Sequence, residues 1–194
     1  MILNSWMQNT LRNLLTFTLL LPLLTQGVAA DSEPADRQLT QEWLARQEIA
    51  VLQRRYAQAT DMMAGGQPAD LEKVAALYRQ IFTEDAQMSV LNQFTLDGPM
   101  KWLELVEDRL GSLESAQHLI GSQLVEITSL PNPKGGGGSA TMRSYLQATH
   151  IEKDGTLERV LGIYHAEAIY LDGTGWRLSK MILEPLSAET AKRD

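Results

Sequence analysis

Between Thr40 and Met63 the apolar residues Ile49, Leu52, Tyr56, Ala59 and Met63 recur at spacings of three and four, the period of one buried helix face. Thr40 is placed as the N-cap, and Gln41 and Glu42 form a first turn that tolerates acid. Gly65 and Gly66 stop this helix. Pro68 then suits a first helical position, and Val74, Leu77, Tyr78 and Ile81 mark a second amphipathic helix. A short strand is expected over Gln87 to Leu91. Gly98-Pro99 opens a third helix, with Trp102, Leu105, Val106, Arg109 and Leu110 on its repeating face.

From Gln117 the period falls to two. Gln117 to Ser129 alternates as a strand, and Pro131 to Gly138 forms a loop. Ala140 to Ile151 is a second long strand, closed by the turn signal Lys153-Asp154-Gly155. Leu157 to Leu171 is a third, and Asp172 to Gly175 turns into a fourth, Trp176 to Leu183. Helices followed by consecutive antiparallel strands predict an α+β fold, with three N-terminal helices packed on one face of a strongly curved, mostly antiparallel sheet. Such a sheet encloses a conical pocket, and concave mouths of this kind hold small molecules.

The first thirty residues stand apart. Arg12 is their only charged side chain, an apolar run spans Leu14 to Leu24, and Val28 and Ala30 are small residues before a cut. That is the pattern of a secretory signal peptide, and the run is too short for a membrane span, which takes about 20 apolar residues. The expected organisation is a leader over 1–30, a flexible lead-in over 31–39, one domain over 40–186 and a tail over 187–194. The product is exported, periplasmic or secreted, and not stably inserted in a membrane. The chain of 194 residues carries a net charge of −7, and losing Arg12 makes the remainder more acidic. Without a Lys/Arg cluster, a nucleic-acid partner is not expected. The absence of cysteine excludes disulfides, thiol catalysis and Cys-based metal sites.

Several short segments carry a resemblance. Arg55-Tyr56-Ala57-Gln58-Ala59-Thr60-Asp61 ends the first helix, and Ala76-Leu77-Tyr78 with Phe82-Thr83-Glu84-Asp85-Ala86 ends the second. His118-Leu119-Ile120-Gly121 starts a strand, while Gly162-Ile163-Tyr164 and Gly175-Trp176-Arg177-Leu178 mark the last hairpin. Their order and spacing resemble the SnoaL-like branch of the nuclear-transport-factor-2-like superfamily, over nearly all of Thr40 to Leu186. The resemblance implies a conical pocket with an Asp near the end of the first helix, matched by Asp61, and a His opening a facing strand, matched by His118. In the scytalone-dehydratase-like pattern a second His lies on the next long strand, where His150 falls. Tyr56 matches a family tyrosine that faces the pocket. Many members carry an Asp four residues after the Gly of Gly-x-Tyr; Ala166 stands there instead. The sheets of this fold commonly pair, which implies a homodimer.

What those residues offer is general acid–base chemistry on a small hydrophobic molecule, without a cofactor. Dehydration or double-bond migration beside a carbonyl needs a base at the acidic C–H and a donor for the developing oxyanion. Ketosteroid isomerase, with an Asp base beside such a donor, shows the principle. Asp61 would orient His118, His118 would move the proton, and Tyr56 or His150 would polarise a carbonyl or protonate a leaving hydroxyl. Plainer readings stand beside these. Asp61 at a helix C-terminus suits solvent, Tyr56 lies on the apolar stripe, and His150 adjoins Glu152 and a turn, which suits a rim. A non-catalytic ligand-binding protein or an assembly module would use the same cone.

Three histidines at unrelated spacings, with no carboxylate completing a set, do not suggest a metal site. Gly135 to Gly138 lacks the Lys-Ser/Thr and the helix of a phosphate loop. The hairpin closed at Lys153-Asp154-Gly155 leaves one question of parity. A two-residue loop at Asp154-Gly155 places Ser144 opposite His165, and a loop one residue longer places Tyr164 there instead.

Overall fold

The computed structural model describes residues 34–132 and 134–192; the expected leader, 1–30, lies outside them. Three helices, α1 (Pro34–Asp61), α2 (Pro68–Ile81) and α3 (Pro99–Leu110), pack on a curved sheet. Its strands are β1 (Phe82–Val90), β2 (Phe94–Asp97), β3 (Ser115–Ser129), β4 (Ser139–Ile151), β5 (Thr156–Leu171) and β6 (Gly175–Lys192). They lie in the order β2-β1-β6-β5-β4-β3. Only β1 and β6 pair in parallel among the described residues. Register shifts in the β3–β4, β5–β6 and β1–β6 ladders mark bulges, which bend strands and deepen the twist of a sheet. No helix among the described residues is long and apolar enough to cross a membrane.

The stripe expected on α1 is the helix face that packs: Ile49, Leu52, Tyr56, Ala59 and Met63 are all buried. Against it lie the inward residues of β4 and β5, among them Met142, Leu146, Ala148, Tyr164 and Ala166. Gly65 and Gly66 end the helical turn with positive φ, and Gly66 also has no room for a side chain. A Cβ there would stand 2.9 Å from the Gly111 carbonyl oxygen at the end of α3, so the α1–α2 turn and the α3 end touch backbone to backbone.

Several elements differ from expectation, and β1 begins at Phe82 rather than Gln87. The lead-in over 31–39 is helical from Pro34, and Thr40 lies inside α1 rather than capping it: its hydroxyl donates to the Asp36 carbonyl one turn back. The first two turns are exposed and polar, so no apolar period announces them. The expected elements also omit β2; its four residues are mostly exposed and are held by pairing with β1. The tail expected over 187–194 is strand as far as Lys192, because Ser187 to Lys192 pair with Leu161 to Thr156 at the start of β5. That stretch is polar and exposed throughout, so ladder hydrogen bonds and not burial hold it.

The parity question resolves in favour of the longer loop. Glu152 N–H donates to the Thr156 carbonyl, leaving Lys153, Asp154 and Gly155 as the loop, with Gly155 at φ +82°. Ser144 therefore pairs with Tyr164 and Arg143 with His165. Tyr164 faces the helices, while His165 faces away and bonds Glu184 on the outer side of the sheet at 2.8 Å.

Candidate active site

Asp61 is the last residue of α1, where the unpaired carbonyls of the final turn disfavour a carboxylate. Its partner comes from β3. His118 Nδ1 lies 2.7 Å from Asp61 Oδ1, with the imidazole almost fully covered and the carboxylate about one quarter exposed. The contact occupies Nδ1 and leaves Nε2 as the nitrogen free for a ligand. A carboxylate at Nδ1 also fixes the plane of the ring, which a proton-transfer group requires.

His118 pairs with Ala148 across the β3–β4 ladder, and His150 stands two residues further along β4 on the same face. The two imidazole centroids are 5.4 Å apart, tilted by 50°. The rim position expected for His150, beside Glu152, does not hold. Its side chain is only 10 % exposed, and its carboxylate partner is Glu158, with Nδ1 to Oε2 at 2.8 Å. Glu158 lies directly opposite on β5, and its other oxygen meets Arg109 of α3 at 3.3 Å. His150 Nε2 is buried with no partner in the protein.

Both histidines line a cavity of about 360 Å³. Its other walls are largely apolar, formed by Trp102, Leu105, Leu146, Val160 and Leu183 with Tyr56 at the floor. Tyr56 is buried edge-on against Phe82 and Tyr164 and accepts a hydrogen bond from Trp102 Nε1 at 3.1 Å. Burial raises its pKa above the ordinary tyrosine value. Tyr78 and Tyr164, also fully buried, are raised further, with the neighbouring Tyr56 adding to the desolvation. All three phenols are neutral at physiological pH. Thus Asp61, His118, His150 and Tyr56 converge on one cavity edge and floor, the acidic residue through its hold on His118.

Glu158 and Arg109 are cavity residues that the sequence does not single out, and Tyr164, the alternative to His165 left open by the hairpin's parity, joins them on the cavity side. In sequence Arg109 reads only as part of a helix face. Glu158 becomes visible once the hairpin loop is three residues long, because pairing then sets it against His150. No group of three or more His, Cys, Asp or Glu side chains able to hold a metal occurs among the described residues. His165 belongs to the other face of the sheet, so the three histidines do not converge.

The sequence model of the SnoaL-like domain matches residues 41–182. No curated protein matches the chain by sequence. Among solved structures, a protein from Novosphingobium aromaticivorans provisionally named as a scytalone dehydratase is similar at TM-score 0.63 and 16% identity, over 80% of this chain and 93% of that one. A hexachlorocyclohexane dehydrochlorinase from Novosphingobium barchaimii is similar at TM-score 0.61 and 16% identity, over 78% and 93%. A nuclear-transport-factor-2-like protein with a cystatin-like fold, also from N. aromaticivorans, is similar at 0.62 and 20% identity, over 81% and 92%. Identities this low speak for the fold.

Proposed function

The chain belongs to the SnoaL-like domain family, and from that premise we propose that it catalyses a cofactor-independent elimination or double-bond migration on a small, largely apolar cyclic molecule. The observation that carries this reading is the 2.7 Å Asp61–His118 contact at the edge of an apolar cavity. A carboxylate-oriented imidazole at a largely apolar pocket is the arrangement general base catalysis needs. His118 Nε2 takes a proton from carbon beside a carbonyl, and the C–H electron pair becomes the new double bond. In a dehydration the C–O pair leaves with oxygen, which His150 protonates to release water. Tyr56 offers a neutral hydroxyl at the floor. Two of the similar structures carry the names of eliminating enzymes, a dehydratase and a dehydrochlorinase, which supports the reaction class.

The test is turnover of a panel of cyclic hydroxy ketones, read as loss of water and as uptake of deuterium from solvent at the acidic carbon. Asp61→Asn and His118→Asn should each lower the rate by about 10²–10⁴-fold, the usual contribution of a positioned acid or base. Binding that survives with no turnover in the unsubstituted chain would favour the second reading, a ligand carrier using the same cavity. We further take the chain as exported, on its leader, and as a homodimer through the outer face of its sheet. N-terminal sequencing of the mature protein should begin at Asp31.

A further inference from the structure

We propose that Glu158 is a positioning residue that presents His150 Nε2 to the cavity as a hydroxyl-recognition point, an inference that rests on the acid–base reading of this pocket and adds a substrate feature to it. The evidence is geometric. His150 and Glu158 are direct cross-strand partners, and the 2.8 Å contact is made by Nδ1. A carboxylate only accepts at this contact, so the proton on Nδ1 is fixed and all exchange at His150 passes through Nε2. That atom is buried and has no partner in the protein. A buried polar atom left unmatched costs free energy, and His150 and Glu158 both line the cavity.

Arg109 secures the far side of Glu158 by its contact at 3.3 Å, so the carboxylate is held by cations or N–H donors on both oxygens. The same three residues also line a smaller, polar recess of about 230 Å³ with Asp108, Ser112 and Glu152. The apolar walls of the main cavity exclude a ligand that is polar all round. A neutral His150 accepts a hydrogen bond at Nε2 and a protonated one donates it there. A hydroxyl serves both states, since it donates and accepts. The ligand class is therefore a cyclic, mostly apolar molecule bearing at least one hydroxyl.

The experiment uses the full chain and needs no turnover. Histidine-ring nitrogen NMR should show His150 protonated at Nδ1, both in the unsubstituted protein and in Glu158→Gln, whose side-chain carbonyl still accepts. Glu158→Leu should give a mixture of tautomers at His150 while His118 is unchanged. Phenol should bind the unsubstituted protein roughly tenfold more tightly than toluene, the size of one hydrogen bond to a buried group, and His150→Phe should erase that preference. A His150 protonated at Nε2 alone, or equal binding of phenol and toluene to the unsubstituted protein, overturns the inference even if Glu158→Leu does not fold. Loss of turnover on Asp61→Asn with those two results would leave the general-base reading intact and remove this one.

Discussion

Trp102 of α3 donates its indole N–H to the Tyr56 hydroxyl of α1 at 3.1 Å, tying the third helix to the first over the cavity floor. Both side chains are buried, so neither group finds water if the other is removed. Trp102→Phe should destabilise the fold by about 1–3 kcal/mol, combining a lost hydrogen bond with lost packing. A double-mutant cycle with Tyr56→Phe should give a coupling of about 0.5–1.5 kcal/mol. Urea midpoints at constant m-value measure both, and strictly additive changes would mean that the contact contributes nothing.

Alkali should weaken this fold through its buried phenols. Desolvation raises Tyr56, Tyr78 and Tyr164 in the folded state, while an unfolded tyrosine titrates near about 10. Above that pH the folded chain binds more protons than the unfolded one, so stability must fall as pH rises. The contribution is complete below about pH 10 and is lost as pH climbs toward the raised folded values. Tyr164→Phe removes one such group and should make the alkaline loss shallower. Urea midpoints that stay level from neutral pH to above pH 10 would contradict this account.

Leu119, Tyr145, Leu161 and Leu186 are all exposed and line one shallow recess on the outer face of the sheet. They come from four neighbouring strands, β3 to β6, and a contiguous apolar patch of this kind marks an interaction surface. Because they face away from the core, Leu119→Glu and Leu161→Glu should leave the monomer folded while breaking a sheet-to-sheet dimer. Light scattering should show the mass falling by half. An unsubstituted chain that is monomeric at every concentration would end the dimer proposal.

The parts of this fold that are legible in sequence are those with a buried face. Ile49 to Met63 on α1 and the alternation of β4 each bury one side, and burial selects apolar residues at a fixed period. The elements that leave no such pattern, β2 and the outer half of β6, are held by ladder pairing with little side-chain burial. The site divides in the same way. Asp61 and His118 stand out through the segments flanking them. Glu158 is a plain acidic residue in a strand, and its meaning lies in register, which a single residue in the hairpin loop reverses.

The place of β6 in the sheet sets a rule for how the chain must be handled before it folds. This strand lies between β1 and β5, so the first strand made on the ribosome waits for the last before either has its full set of neighbours. Phe82 meets Leu178, and Val90 meets Leu183, contacts nearly a hundred residues apart along the chain. Until β6 emerges, β1 and β2 form an isolated two-stranded ribbon, which is marginal in water. Native structure is thus postponed to the end of synthesis, and non-local closure of this kind is slow. For a chain exported as proposed above, topology alone would provide an interval before folding in which it could be threaded through a narrow pore.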